Sequence, residues 1–261
     1  MTTNEAPPIT LHLANVVLQR IDVAQRQYRR TNEALSSAWA LRDSLGFTEG
    51  IVPAPIIEAE QETEDAGHFL IVVLRSAARA QRVLGRAGVD VPEIREWEKL
   101  AALRDLHEHW DGWETEPYGL SDEPWRRSKA GEAWARLAEG KPTRGSMSFG
   151  DPDPDGVRRL HSFRGLELAS LLDDLEALRE VVVALEHRAF EYEVPSLEQA
   201  AELIGGERLT AAQWFVTGFR PFRARDGLLR YRRERVLEAA RMVDANWGTP
   251  FSQPQPKLPD A

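Results

Sequence analysis

The sequence predicts a mainly α-helical protein, built as a helical bundle with a small hairpin insertion and followed by a smaller C-terminal domain. Two observations predict this. Apolar residues recur at three- and four-residue steps through four long segments, which is the spacing of one face of an α-helix. After Pro195 the long segments give way to short elements rich in arginine. Four amphipathic helices of this length can bury their apolar faces against one another.

The first two long helices are predicted at 11–45 and 57–86. Gly46 follows the first apolar stripe and is a typical stop signal. Pro53 and Pro55 cannot continue a helix, so the second helix is expected to begin after them. Its first turns are acidic and its last turns are basic, an order that suits the helix dipole.

The third helix is predicted from Pro92 to about Trp110, because proline fits the first helical turn. A polar insertion rich in Gly and Pro follows at 111–163. Within it we expect a short helix at 124–138 and a hairpin at 144–163. A structureless stretch of this length is uncommon in a compact domain, so we expect the insertion to be functional or partly ordered.

The fourth long helix is predicted at 165–191 from its leucine stripe, and Pro195 marks the end of the bundle. The C-terminal domain should contain a short helix at 196–205 and a second short helix that starts at Thr210. A hairpin at 219–232 that turns at Asp226-Gly227 and a last helix at 233–245 should follow. We expect a flexible N-terminus at 1–10, a bundle at 11–192, a C-terminal domain at 195–246 and a disordered tail at 247–261.

Composition excludes several classes of protein. Of the 261 residues, 42% are hydrophobic and 29% are charged, which excludes collagen-like and wholly disordered chains. The chain has no cysteine, which excludes disulfides, thiolate zinc sites and a cysteine nucleophile, and which fits a reducing compartment. It has no apolar run long enough for a membrane span and no signal-peptide pattern at its N-terminus. We therefore expect a cytoplasmic protein without a membrane partner.

Charge is unevenly distributed along the chain. The net charge is −9, which argues against a general polyanion binder unless the basic residues are segregated. Residues 219–241 contain eight arginines and three acidic residues, a local charge of +5, so the rest of the chain carries −14. Basic charge is therefore concentrated in the C-terminal domain, where it indicates a nucleic-acid partner.

The segment from Leu103 to Trp110 carries the chemistry of the first domain. Asp105 and His109 are four residues apart and share a helical face, so the carboxylate could orient the imidazole. Arg104 and His109 are five apart and would converge only at a helix end or with the help of a second subunit.

This pattern of Arg, a polar residue, three further residues and His resembles the motif of the HEPN family, as does its place before the last long helix of a bundle. The resemblance covers about residues 10–192. It implies an all-α fold and a metal-independent endoribonuclease that acts as a homodimer, with no cofactor. Carried over to this chain, His109 would be the acid/base, Arg104 would hold the phosphate and Asp105 would assist.

Two other readings of this segment stay open. Arg104 and Glu108 could form solvated ion pairs on a helix surface, which contribute little to stability. The alternation of His107, His109 and Asp111 could indicate a metal site, but it suits a strand better than a helix, and no HExxH motif is present. We expect no metal.

The C-terminal segment from 195 to 242 resembles the winged helix-turn-helix of MerR-type regulators and excisionases. A first helix with an AAELLG-like sequence is matched by Ala200, Ala201, Leu203, Ile204 and Gly205, a second helix opens with Thr210, and Arg230 to Val236 match the start of the last helix. The resemblance implies a recognition helix in the DNA major groove and arginines on the wing. The implied DNA contacts are Thr210, Gln213, Arg220, Arg223, Arg225 and Arg230.

Two functions are therefore expected. The first is a HEPN-like endoribonuclease of the toxin or defence type, with RNA as substrate and a C-terminal module that binds DNA. The alternative is a non-enzymatic DNA-binding transcriptional regulator whose helical bundle dimerises or senses a partner.

Overall fold

The computed structural model describes residues 6–45, 52–108, 147–149, 159–163 and 166–247. Within these residues helices dominate, and the strands are short and antiparallel, so the prediction of a mainly α-helical fold with a small hairpin insertion is confirmed. In chain order the elements are α1 (Leu11–Leu45), α2 (Ala54–Arg86), α3 (Trp97–Glu108), β1 (Met147–Phe149), β2 (Leu160–Phe163), β3 (Leu166–Glu167), α4 (Leu168–Glu193), α5 (Leu197–Ile204), α6 (Gly206–Phe215), β4 (Phe222–Arg223), β5 (Leu229–Arg230) and α7 (Arg233–Trp247).

The starts of α2 and α3 differ from the prediction. Helix α2 begins three residues early, at Ala54, because Pro55 lies in the first turn, where its missing N–H has no intrahelical partner to lose. Helix α3 begins at Trp97, not at Pro92. The backbone N–H of Arg95 donates to the Asp174 carboxylate at 2.9 Å. A helix that began at Pro92 would need this N–H for its own backbone hydrogen bonds, so the contact with Asp174 delays the start of α3.

The described residues divide into two compact units, 15–183 and 1–14 with 184–261. The predicted boundary at Pro195 therefore differs from this division, because the last turns of α4 belong to the C-terminal unit. Two contacts within that unit explain why. Glu193 accepts the Leu11 N–H at 2.8 Å, and Glu186 forms an ion pair with Arg225.

In the first unit, α1 packs in antiparallel fashion against both α2 and α4. Between α1 and α2, Gln27 donates to the carbonyl of Ala66, whereas Arg42, further along α1, pairs with the earlier residue Glu60. Helix α4 runs antiparallel to α1 in the same way, since Gln25 bonds to Glu176 and Asp22 to Arg179. The apolar faces form a core that includes Ile21, Leu70, Leu74, Leu100, Leu103, Leu171, Leu175 and Leu178.

A three-stranded sheet in the order β1-β2-β3 belongs to this unit, and the predicted pairing of the hairpin is confirmed in its two described strands. Helix α1 holds β2 through two hydrogen bonds. Asn32 accepts the Leu160 N–H at 2.9 Å, and the Tyr28 hydroxyl donates to the Leu160 carbonyl at 3.0 Å. Strand β3 was not predicted. The expected helix at 124–138 and the rest of 111–146 lie outside the described residues, as do 150–158 and 248–261.

The C-terminal module, residues 195–247, contains α5, α6, the β4–β5 hairpin and α7. Ser196 caps α5 through the predicted capping box with Gln199. Helix α6 begins at Gly206 rather than at Thr210, because Gly205 adopts a φ of 91° and turns the chain within one residue. The hairpin turns at Asp226-Gly227 as predicted. The module has its own apolar core: Ala200, Ile204, Leu209, Ala211, Ala212, Phe219, Tyr231, Val236, Ala239 and Val243.

The contact between Arg95 and Asp174 gives a test of the bundle. Asp174 is buried and accepts three hydrogen bonds or ion-pair contacts from Arg95, at 2.7 to 2.9 Å. We expect Asp174→Ala to lower the free energy of unfolding by about 1–3 kcal/mol, because it leaves a backbone N–H and a guanidinium without their acceptor. Urea unfolding measures this. The neighbouring exposed Asp173→Ala should change it by less than about 0.5 kcal/mol, and equal effects of the two variants would contradict the assignment.

Candidate functional sites

The first candidate site is formed by α3 and α2. The Arg104 guanidinium lies 3.0 Å from the Asp105 carboxylate, and the same carboxylate lies 3.9 Å from the guanidinium of Arg75 on α2. All three side chains are partly exposed, at 30%, 40% and 21% for Arg104, Asp105 and Arg75. The structure thus brings together two of the three predicted motif residues. The third, His109, lies outside the described residues, as does the side chain of His107.

Arg75 was missed by the sequence analysis. Its pKa is lowered, first by burial and then by repulsion from the guanidinium of Arg104, against which Asp105 acts. Arg79 and Arg82 lower it further. Arg75 therefore lies within electrostatic reach of Arg104, Arg79, Arg82 and Asp105. A site of this kind can hold an anion such as a phosphate through charge-assisted hydrogen bonds.

The same segment was also interpreted as a surface ion pair or as a metal site. Arg104 does form an ion pair on the helix, although with Asp105, and the side chain of Glu108 lies outside the described residues. In the part of the chain that the structure describes, no three His, Asp or Glu side chains gather as metal ligands. His109 and Asp111 fall outside that part.

The second candidate site is on the C-terminal module, where α6 corresponds to the expected recognition helix. Thr210 is exposed, and its hydroxyl donates to the carbonyl of Gly206 at 2.9 Å, one turn earlier in the helix. Gln213 is half-buried because its amide donates to the Tyr231 hydroxyl at 2.6 Å. Trp214, on the same helix, is 80% exposed. The sequence analysis did not include this tryptophan among the DNA contacts. An exposed tryptophan offers a flat surface for stacking.

Three of the four predicted arginines of the hairpin region are exposed, and two of them, Arg220 and Arg223, form no ion pair with a described carboxylate. Arg220 donates to the carbonyl of Gln213 at 2.7 Å, and Arg223 donates to the carbonyl of Gly227 at 2.8 Å. A carbonyl acceptor fixes the direction of a guanidinium without neutralising its charge. Arg220 and Arg223 therefore present positive charge to solvent.

The other two arginines are used inside the unit. Arg225 pairs with Glu186 and lies 4.5 Å from the ring of Phe190, and its pKa is raised by the hydrogen bond with Glu186. The side chain of Arg230 is only 11% exposed and bonds to Asp226 at 2.7 Å and to the carbonyl of Val194 at 2.9 Å. These contacts attach the hairpin to the end of α4. Arg225 and Arg230 thus have structural contacts that the sequence analysis did not predict.

No protein-family model, no curated protein and no solved structure matches this chain. Among the helices of the described residues, none has the length and apolar character of a membrane span.

The turn of the hairpin has a testable pH dependence. Burial raises the pKa of Asp226, but the N–H of Leu228 and the guanidinium of Arg230 outweigh it, so the pKa lies below its usual value of 3.8. A carboxylate with a lowered pKa stabilises the fold above its unfolded-state pKa, and this contribution is lost as the pH falls through the folded-state value.

We therefore expect an NMR titration to place the pKa of Asp226 below that of an unstructured Asp, and Arg230→Gln to raise it. Arg188→Gln, a change of an exposed arginine on α4, is the control. If Arg230→Gln and Arg188→Gln gave the same pKa for Asp226, the ion pair between Arg230 and Asp226 would not stabilise the turn.

Proposed function

We propose that the bundle is a HEPN-like RNA-cleaving domain in which Arg104 binds the phosphate and His109 transfers the proton. The observation that carries the proposal is the group of two guanidiniums, Arg104 and Arg75, around the single carboxylate of Asp105. A guanidinium has five N–H donors, so one that bonds to a carboxylate can also bind a phosphodiester. The Arg-Asp-x-x-x-His pattern places a histidine one helical turn beyond this group in the sequence.

The proposed reaction uses the nucleophile that RNA itself supplies. The 2′-oxygen attacks the adjacent phosphorus, and the bond from phosphorus to the 5′-oxygen breaks. The 2′-hydroxyl loses its proton to a base, and the leaving 5′-oxygen gains one from an acid, which yields a 2′,3′-cyclic phosphate and a 5′-hydroxyl. An imidazole that titrates near neutral pH can take either role. A guanidinium at the phosphate stabilises the charge that develops on its oxygens.

The C-terminal module is proposed to bind nucleic acid and to direct the bundle to its target. Its support is the exposed Arg220, which is bonded to the carbonyl of Gln213 on α6, together with the exposed Arg223 of the hairpin and the exposed Thr210 of α6. A homodimer would provide two copies of His109, one for each proton transfer. Activity of this kind in a cell would inhibit growth, as in a toxin or a defence factor.

The cleavage proposal predicts the behaviour of two variants. In the presence of EDTA, the wild-type chain should cleave a single-stranded oligoribonucleotide and leave the DNA of the same sequence intact. His109→Ala and Arg104→Ala should each lower the rate at least about 100-fold, because each removes a group that acts in the transition state. Gel analysis of end-labelled substrate measures the rate.

Exposed residues of the same types provide the controls: His187→Ala on α4 and Arg29→Ala on α1 should cleave at the wild-type rate. Circular dichroism checks that each variant is folded. Cleavage that survives unchanged in both His109→Ala and Arg104→Ala would overturn the proposal.

A second candidate function is a non-enzymatic DNA-binding regulator. The observation that favours it is that the C-terminal module has an apolar core of its own, so it can present Arg220, Arg223 and Thr210 without any catalytic partner. In this case the bundle would serve dimerisation or the recognition of a partner.

The second candidate predicts that duplex binding depends on salt and on the two exposed arginines. Fluorescence anisotropy with labelled DNA at several KCl concentrations should show that Arg220→Ala and Arg223→Ala each lower the magnitude of the salt slope by about 1, as expected for the loss of one phosphate contact. Arg188→Ala should leave the slope unchanged. Slopes that are the same in all three variants would exclude these arginines as DNA contacts.

A further inference from the structure

The second half of α2 carries a line of arginines without acidic residues. From Ala66 to Arg86 the helix contains Arg75, Arg79, Arg82 and Arg86 and no Asp or Glu. These positions are separated by four, three and four residues, so they lie on one face of the helix. We call this set the arginine stripe. Eleven residues of helix correspond to a length of about 16 Å.

Helix α3 packs along the arginine stripe in the antiparallel direction. Arg75 lies opposite Asp105, near the end of α3, whereas the guanidinium of Arg82 lies 4.2 Å from the ring of Trp97, at its start. Arg104 acts electrostatically on Arg75. The arginine stripe therefore leads along α3 to the candidate site at Arg104.

Among the described residues, few carboxylates compensate the charge of the arginine stripe. Arg79, Arg82 and Arg86 are exposed, and none of the described carboxylates forms an ion pair with them. Asp105 pairs with Arg75 alone within the stripe. Neighbouring like charges on a helix destabilise the helix. The arginine stripe is also a local concentration of positive charge in a protein whose net charge is −9. Packing among the described residues does not require Arg79 and Arg86, because both are exposed, whereas Arg82 also contacts the ring of Trp97.

We infer that the arginine stripe binds the phosphate backbone of single-stranded RNA and leads the strand to the site at Arg104. The inference rests on the proposed function and adds to it a path for the substrate. A row of separate cations at regular spacing matches a linear polyanion with regularly spaced phosphates. The ring of Trp97, stacked with Arg82, adds an aromatic group beside this row. The link with Arg104 favours RNA over duplex DNA as the occupant.

The test compares charge-removing variants of two helices in the full chain. Arg79→Gln/Arg86→Gln removes two exposed members of the arginine stripe. Arg26→Gln/Arg30→Gln removes two exposed arginines of α1 and is the matched control, since it changes the net charge equally. Each pair is made on the His109→Ala background, so that a labelled oligoribonucleotide stays intact during anisotropy measurements at several KCl concentrations.

We expect the stripe variant to bind RNA at least about 10-fold more weakly than its parent and to lose about 1.4 from the magnitude of the salt slope, or 0.7 for each lost contact with a single strand. The control pair should bind within about twofold of the parent. In the catalytically intact chain, the stripe variant should raise KM for the oligoribonucleotide and leave kcat unchanged, because it removes binding away from the reacting phosphate.

The outcomes separate this inference from the proposed function. If His109→Ala abolishes cleavage but the stripe variant and the control bind RNA equally, the proposed function stands and the inference is overturned. If the stripe variant alone loses RNA binding and no chain cleaves RNA, the binding path is supported and the nuclease is excluded. If duplex DNA or poly-glutamate displaces the RNA at equal charge concentration, the arginine stripe is not a path for RNA, and the inference is overturned.

Discussion

The functional account depends on one carboxylate shared between two helices. Asp105 on α3 lies within ion-pair distance of Arg104 on its own helix and of Arg75 on α2. Without it, the two guanidiniums would repel each other across the contact between α2 and α3, and burial of Arg75 would add to that cost. With it, the two guanidiniums are held together at the contact between the two helices. Guanidiniums held in this way offer N–H donors of the kind that bind phosphate oxygens.

The C-terminal module divides its arginines between two tasks. A local charge of +5 suggests a wing with many contacts to nucleic acid, yet Arg225 and Arg230 attach the hairpin to the end of α4 through Glu186, Phe190 and the carbonyl of Val194. Their contacts position the hairpin and thereby the exposed Arg223. The charge available to a ligand is therefore smaller than the sequence count, and it is concentrated in fewer side chains.

Local patterns in the sequence predicted most of the architecture. Apolar periodicity located the four long helices, the Ser196 capping box located α5, and Asp226-Gly227 located the hairpin turn. The errors arose where a distant contact or one backbone angle decides the outcome. The start of α3 depends on Asp174, which is far away in the sequence, and the start of α6 depends on the positive φ of Gly205.

The candidate sites were less accessible from the sequence. The motif at Arg104 and Asp105 was visible, but the role of Arg75 depends on the register between α2 and α3, which no local pattern specifies. In the C-terminal module, exposed and buried arginines look alike in a sequence. The burial of Arg230 follows from its acceptors at Val194 and Asp226, and it became apparent only in the folded chain. The spacing of the arginine stripe could have been read directly from the sequence.

The most direct measurement of the central claim is the chemical identity of the ends that this protein leaves on RNA. Mass spectrometry of the fragments from a defined oligoribonucleotide, digested in EDTA, reports which bond was broken. Joint action of Arg104 and His109 on a phosphodiester predicts 2′,3′-cyclic phosphate and 5′-hydroxyl ends that disappear when either residue is changed. Fragments with 5′-phosphate ends, or no fragments from the folded wild-type protein, would contradict the account.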